Sequence, residues 1–172
     1  MRRELSVAGA SRPCVLRHSD GRPWPRWRQR QAPGMALSFH HLGMVAQDRG
    51  DTNGALDWYR KSLAISEQLG DQAGMASSIS QIGILHTQTG RAADAVPFSL
   101  RSLALRPGMQ SPQARINLHW LTQQGQILGE EAFHALVAQH TDGDSVANLI
   151  AMLDQFEAEE ESSAVAQPST GD

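Results

Sequence analysis

Gly34-Met35-Ala36-Leu37-Ser38-Phe39-His40-His41-Leu42-Gly43 returns forty residues later as Gly74-Met75-Ala76-Ser77-Ser78-Ile79-Ser80-Gln81-Ile82-Gly83. The Gly-Met-Ala start, the Ser at the fifth place and the closing Gly are kept, and Leu42 gives way only to Ile82. The same offset persists downstream. Gly50, Ala55 and Ser62-Leu63-Ala64 return as Gly90, Ala95 and Ser102-Leu103-Ala104, with Leu56/Val96, Trp58/Phe98 and Ile65/Leu105 as conservative partners. A fixed period of this length marks a supersecondary unit that stacks on its own copies. Such stacks build elongated binding surfaces rather than catalytic pockets.

The unit is a pair of helices. Met35, Phe39, Leu42 and Ala46 are spaced i, i+4, i+7, i+11, which is one face of a helix, and Gly50 suits its end. A second helix over 54–69 turns Ala55, Leu56, Tyr59, Leu63 and Leu69 inward. The next unit repeats the plan, with helices over 74–89 and 92–105, the second interrupted by Pro97 and closed by Pro107-Gly108. A third, degenerate unit opens at Ser111-Pro112, an N-cap followed by proline at the first helical position. Its first helix carries Ile116 and Trp120 inward, and a second follows Gly129 with Glu130 and Glu131 in its first turn. Ser145 is expected to cap a last helix whose stripe is Val146, Leu149, Ile150 and Leu153.

Around this core the ends differ in composition. Residues 1–34 hold eight of the fifteen basic residues against only Glu4 and Asp20, so the net charge of −3 hides a basic leader and an acidic remainder. Trp24-Pro25-Arg26-Trp27-Arg28 shows no helical or strand period, and the leader is expected to be disordered. It reads as a leader or an upstream extension, with Met35 a sensible start; the alternative is a basic arm contacting nucleic acid. The division expected is 1–34 disordered leader, 35–72 repeat 1, 73–108 repeat 2, 109–141 degenerate repeat 3, 145–160 capping helix and 161–172 disordered acidic tail. The lone Cys14 excludes an internal disulfide framework and a cysteine-based zinc site. No apolar run reaches the ~18 residues that a membrane span requires, and the expected location is the cytoplasm.

The helix pairs resemble the tetratricopeptide repeat family, in its long-helix, about forty-residue bacterial form. Phe39, Leu42-Gly43 and Ala46 stand where that family carries a bulky residue, a Leu-Gly pair and another larger residue. Ile79, Ile82-Gly83 and His86 follow in the second unit. The small-aromatic-small signature of the second helix is Ala55, Tyr59 and Ser62, then Ala95, Ser99 and Ser102. Ser99 breaks the aromatic position, with Phe98 one place earlier to supply a ring. Pro107 matches the closing proline. Phe133 falls thirty-four residues after Ser99, and Asn117 stands where unit three should carry glycine. The resemblance implies an all-α, right-handed solenoid of antiparallel pairs, three units plus a C-terminal capping helix, and a protein–protein interaction role rather than an enzyme.

In such a solenoid the first helices line the concave face. Helical geometry nominates Leu37, His40, Met44 and Gln47, then Ser77, Ser80, Ile84 and Thr87, then Ala114, Leu118 and Leu121. No Lys, Arg or Asn is in this set, which argues against the carboxylate-clamp mode of one branch of the family. The mixed apolar and small polar lining suits an amphipathic helix or an extended peptide. His40 and His41 are adjacent and point about 100° apart on a helix, so they cannot chelate one ion together. The other histidines lack zinc-like spacing, and no phosphate-cradling, dinucleotide or nucleophile-elbow motif occurs, so no metal, cofactor or catalytic residue is expected. Unit one begins without an N-terminal cap. That suggests the end of a longer repeat-containing signalling protein without a ligand of its own, or self-association through the first repeat.

Overall fold

The computed structural model describes residues 25–106 and 112–165. It contains seven helices: α1 (Arg26–Asp48), α2 (Thr52–Leu69), α3 (Gln72–Gln88), α4 (Ala92–Ala104), α5 (Pro112–Leu128), α6 (Glu130–His140) and α7 (Gly143–Val165). Among the described residues there is no strand. Helix α1 packs along α2 and α3 along α4, while α2 meets α3 and α4 meets α5, so each hairpin leans on the next. Helix α7 closes the far end against α5 and α6. This is the helical solenoid that the forty-residue period predicts.

The turns repeat because their chemistry repeats. Gly50, Gly70 and Gly90 have φ of 76°, 68° and 75°, a left-handed backbone that side chains with a Cβ resist. Asp51 and Asp71 follow the first two, and each Oδ1 accepts the backbone N–H of the glycine three residues on, at 2.9 Å for Gly54 and 3.0 Å for Gly74. A similar cap starts α7, but it is Asp142, not Ser145, that accepts the N–H, at 2.8 Å. The same N–H holds the Asp142 carboxyl below its ordinary range.

Packing runs through three clusters. Ala32, Ala36 and Ile65 join α1 to α2. Ala46, Ala55, Leu56, Tyr59, Ile82 and Leu85 seat α3 on the first hairpin. Val96, Leu100, Leu118, Leu121, Phe133 and Val137 bind units two and three to Leu149, Leu153 and Phe156 of α7. Between the clusters runs a buried polar ladder. Ser62 Oγ donates to the Ala36 carbonyl at 2.8 Å and accepts from Ser78 Oγ at 3.1 Å. Forty residues on, Ser102 Oγ donates to the Ala76 carbonyl at 2.8 Å and accepts from Asn117 Nδ2 at 2.9 Å.

That ladder corrects the alignment of unit three. Asn117 stands in the place of Ser78, reaching back to the preceding hairpin, rather than in the place of Gly83. It also explains why Ile116 is exposed and Trp120 only half-buried, where both were expected inward. The buried face of α5 is Ala114, Asn117, Leu118, Leu121 and Gln124, and its two amides broke the apolar period. The glycine contacts differ as well. Gly43 lies under the Tyr59 ring, whose atoms are the nearest to it. Gly83 faces Ser99, the Phe98 Cβ and the Ala95 carbonyl, and the Phe98 ring itself stacks on His86 with centroids 5.3 Å apart.

The ends of the helical region differ from expectation too. Helix α1 starts at Arg26, inside the segment read as disordered leader; Pro25 is its extended N-cap, with φ −58° and ψ 147°. Pro33 lies within it, yet Ala32 is fully buried and packs with Ala36 on Ile65, contacts that sequence periodicity before Met35 did not reveal. Helix α7 runs on to Val165, past the expected end at 160. Residues 1–24, the closing Pro107 and cap Ser111, and the tail beyond 165 lie outside the described residues.

Helix α4 is continuous through Pro97. Proline has no N–H to offer the carbonyl four residues back, and a helix interior resists it by up to ~3 kcal/mol. Pro97→Ala is therefore expected to raise the thermal midpoint. An unchanged midpoint in differential scanning calorimetry would mean that α4 already accommodates the ring without loss.

Candidate concave groove

Nine of the eleven residues nominated for the groove separate into two groups, and the other two, Ala114 and Leu121, are fully buried. Leu37 and Met44 are exposed, 57 % and 44 %, and His40, Gln47 and Ser77 are half-buried. Ser80, Ile84, Thr87 and Leu118 are buried. Helix α5 accounts for the loss at Ser80 and Thr87, because it lies over that side of α3. Ser80 Oγ donates to Asn117 Oδ1 at 2.7 Å, and Gln124 Nε2 donates to Thr87 Oγ1 and to Ser99 Oγ, both at 2.9 Å. Leu118 belongs to the α4–α7 cluster. Ser80, Thr87 and Leu118 are thus held between units rather than left as lining, and Ile84 is buried beside them in the sequence of α3.

What stays open lies between α1 and α3. A cleft of about 360 Å³ is bordered by Pro33, Leu37 and His40 on α1 and by Ala73 and Ser77 on α3. Ala36, Ser62, Ser66, Gly74 and Ser78 also border it, and Asp71 adds a carboxylate. The repeat builds this place. The Asp71 cap brings Gly74 close to α2, where a Cβ would meet both the Asp71 carboxylate and Ser66 Oγ, at 2.6 Å for the latter. Small residues here keep a hollow open that larger ones would fill.

The cleft is polar in an unusual way. His40 Nδ1 and Ser66 Oγ are buried and have no hydrogen-bond partner among the described residues. Burial, and then the neighbouring His41, push the His40 pKa below its ordinary 6.5, so the ring is neutral near pH 7. It packs on Tyr59 with centroids 5.3 Å apart. Tyr59 in turn donates to Gln47 Oε1 at 2.9 Å, and Gln47 Nε2 donates to Gln88 Oε1 at 3.1 Å. Burial first, and Asp48 second, push the Tyr59 hydroxyl up to about 12. This relay ties the groove side of α1 to the end of α3. Sequence reading missed Ser66 and took Gly74 only as a repeat position, because nothing in a small residue's own type says that it borders a hollow.

His86 provides a pH handle. Burial, and then Arg91, hold its pKa below 6.5. With His40 shifted the same way, the unfolded chain binds protons near pH 6.5 where the folded chain does not. Stability is then complete above pH 6.5 and falls as the pH drops below it toward the folded-state values. Urea midpoints at about pH 8 and about pH 5 should differ in that direction, and less so in His86→Gln. Equal midpoints for the native chain at both pH values would refute it.

Among the described residues, no cluster of three or more His, Cys, Asp or Glu is placed to hold a metal ion, and no helix is long and apolar enough to cross a membrane. Residues 34–107 match the family model of the tetratricopeptide repeat. No curated protein and no solved structure matches the chain.

Proposed function

We propose, from the premise that residues 34–107 are tetratricopeptide repeats, that the α1–α3 groove holds a segment of a partner protein. Repeats of this family generally mediate protein–protein interaction and are typically scaffolds rather than enzymes. The observation that carries the finer reading is the cleft itself: an exposed Leu37 and a half-buried neutral His40 face Ser77 across a hollow of about 360 Å³. Its size, at the small end of the range for ligand clefts, admits one or two side chains of a peptide. An apolar anchor would cover Leu37 and Ala36. A peptide N–H or C=O that reached the free polar atoms of His40 or Ser66 would recover a hydrogen bond of about 0.5–1.5 kcal/mol. We place that encounter in the cytoplasm, a reducing compartment that suits the sparse cysteine content, Cys14 alone.

The test uses the full chain as bait in an extract of its native cells. Leu37→Asp and Ser77→Arg, at the border of the cleft, and Met44→Asp, four residues past His40 on the same helix, should each lose the bound partner, because a charge or a bulky cation is forced against it. All three positions are exposed or half-buried, so the melting temperature should move little. Partners captured equally by the native chain and all three variants would end the groove reading.

A further inference from the structure

We infer that a second face of α1, formed by Ser38, Leu42 and Val45, is a docking site for a tetratricopeptide-type helix hairpin presented by another polypeptide. The inference does not depend on the groove, which lies about a third of a helical turn around α1.

The internal repeat provides the comparison. Each residue of this face has a counterpart forty residues on in α3, and that counterpart is buried against the preceding hairpin. Ile82 and Leu85 are each 2 % exposed and pack with Ala55, Leu56 and Tyr59, whereas Leu42 and Val45 are 43 % and 44 % exposed. Leu42 was expected to be a structural position. It is the same structural position as Ile82, but no hairpin covers it among the described residues.

The polar pairing says the same. Ser78 reaches back to Ser62, and Asn117 reaches back to Ser102. Ser38, in the equivalent place, instead turns its hydroxyl to the Gly34 carbonyl of its own helix at 2.8 Å. A charge completes the pattern. Arg101 on α4 reaches Glu67 of the preceding hairpin at 2.9 Å. Lys61 stands forty residues before Arg101, exposed and over the Trp58 ring at 4.1 Å.

The occupant is therefore specified by what α3 and α4 already bind. It is a helix with a small residue, an aromatic four residues later, a serine three after that and an acid five further on, as in Ala55, Tyr59, Ser62 and Glu67. Leu42 and Val45 supply the apolar contact, Ser38 the hydroxyl partner and Lys61 the cation. A second copy of this chain does not offer this surface: its α2 is covered by α3 and its α4 by α5.

The probe is a stapled, fluorescein-labelled peptide with the sequence of α2, Thr52–Leu69, titrated with the full chain in fluorescence anisotropy. The expected result is saturable binding that weakens at least tenfold in Leu42→Asp and in Val45→Asp, and about threefold in Lys61→Glu at low salt. Peptides carrying Ser62→Arg or Leu56→Asp should also bind at least tenfold more weakly. Leu37→Asp, on the groove side, should bind the probe normally, so failure here and failure of the groove reading are told apart. Leu42→Asp and Val45→Asp change exposed positions, and an unaltered melting curve shows that each variant is folded. Flat anisotropy with the native chain up to millimolar concentration overturns the proposal. So does sedimentation equilibrium showing a native dimer that Leu42→Asp makes monomeric, since the face would then belong to a second copy.

Discussion

Tyr59→Ala should cost about 3–5 kcal/mol of folding free energy, the range for truncating a large buried aromatic. That is a large share of the ~5–15 kcal/mol that holds a typical domain together. Tyr59 is fully buried where α1, α2 and α3 meet, in the cluster with Ala46, Ala55, Leu56, Ile82 and Leu85. Removing its ring opens the seat of α3 and cuts the hydrogen bond to Gln47 that runs on to Gln88. Tyr59→Phe keeps the ring and loses only the hydroxyl, so about 0.5–1.5 kcal/mol is expected. The partner of this ring is Gly43, whose absent side chain leaves room for it: a Cβ there would lie 2.5 Å from Tyr59 Cε1. Gly43→Ala should therefore cost about 1–3 kcal/mol by overpacking. Gly83→Ala should cost less, since the nearest atom is Ser99 Oγ at 3.2 Å. The two sites couple, so Gly43→Ala should cost markedly less in a Tyr59→Ala background. Chemical denaturation of the four proteins in that cycle checks it; additive losses would show that ring and glycine do not share the same space.

Asn117→Ala is the second large effect, expected at about 1–3 kcal/mol for each buried group left without a partner. Asn117 is 1 % exposed and joins three helices, since it accepts from Ser80 on α3 and donates to Ser102 on α4. Truncation strands the Ser80 hydroxyl and removes the donor to Ser102 Oγ. The loss falls at the junction of units two and three, so amide exchange should quicken across α5, α6 and α7 before it does in α1 and α2. Adding Ser80→Ala to Asn117→Ala should recover part of the loss, because the stranded hydroxyl is then gone. Uniform exchange across all seven helices would mean that the repeats unfold as one block.

The arrangement of Tyr59 on Gly43, and of Asn117 between Ser80 and Ser102, shows where sequence reading succeeds and where it stops. Gly43, Ala55 and Ser62 were recognisable because their types recur at a fixed offset, and Tyr59 because it stands at the aromatic position of the repeat signature. Asn117 and Gln124 were not, because a buried amide looks like a surface residue until its partners are known. The groove divided along the same line. Helical geometry gave Leu37, His40, Met44, Gln47, Ser77, Ser80, Ile84 and Thr87 one face, and in α1 that face is accessible. In α3 only Ser77 stays partly open, because how α5 crosses depends on contacts between units that no local pattern encodes.

The amino-acid order alone determined the helix pairs, their forty-residue period and the match of residues 34–107 to the tetratricopeptide repeat, since each depends on residues close together in the chain or at a constant spacing. Only the tertiary structure decided that α1 begins at Arg26, that Ser80, Ile84, Thr87 and Leu118 are covered, and that Leu42 is bare while Ile82 is buried. Burial is a property of neighbours. Two residues of the same kind in the same repeat position differ by whether another hairpin lies against them, and that is set by packing between units rather than by the residue itself.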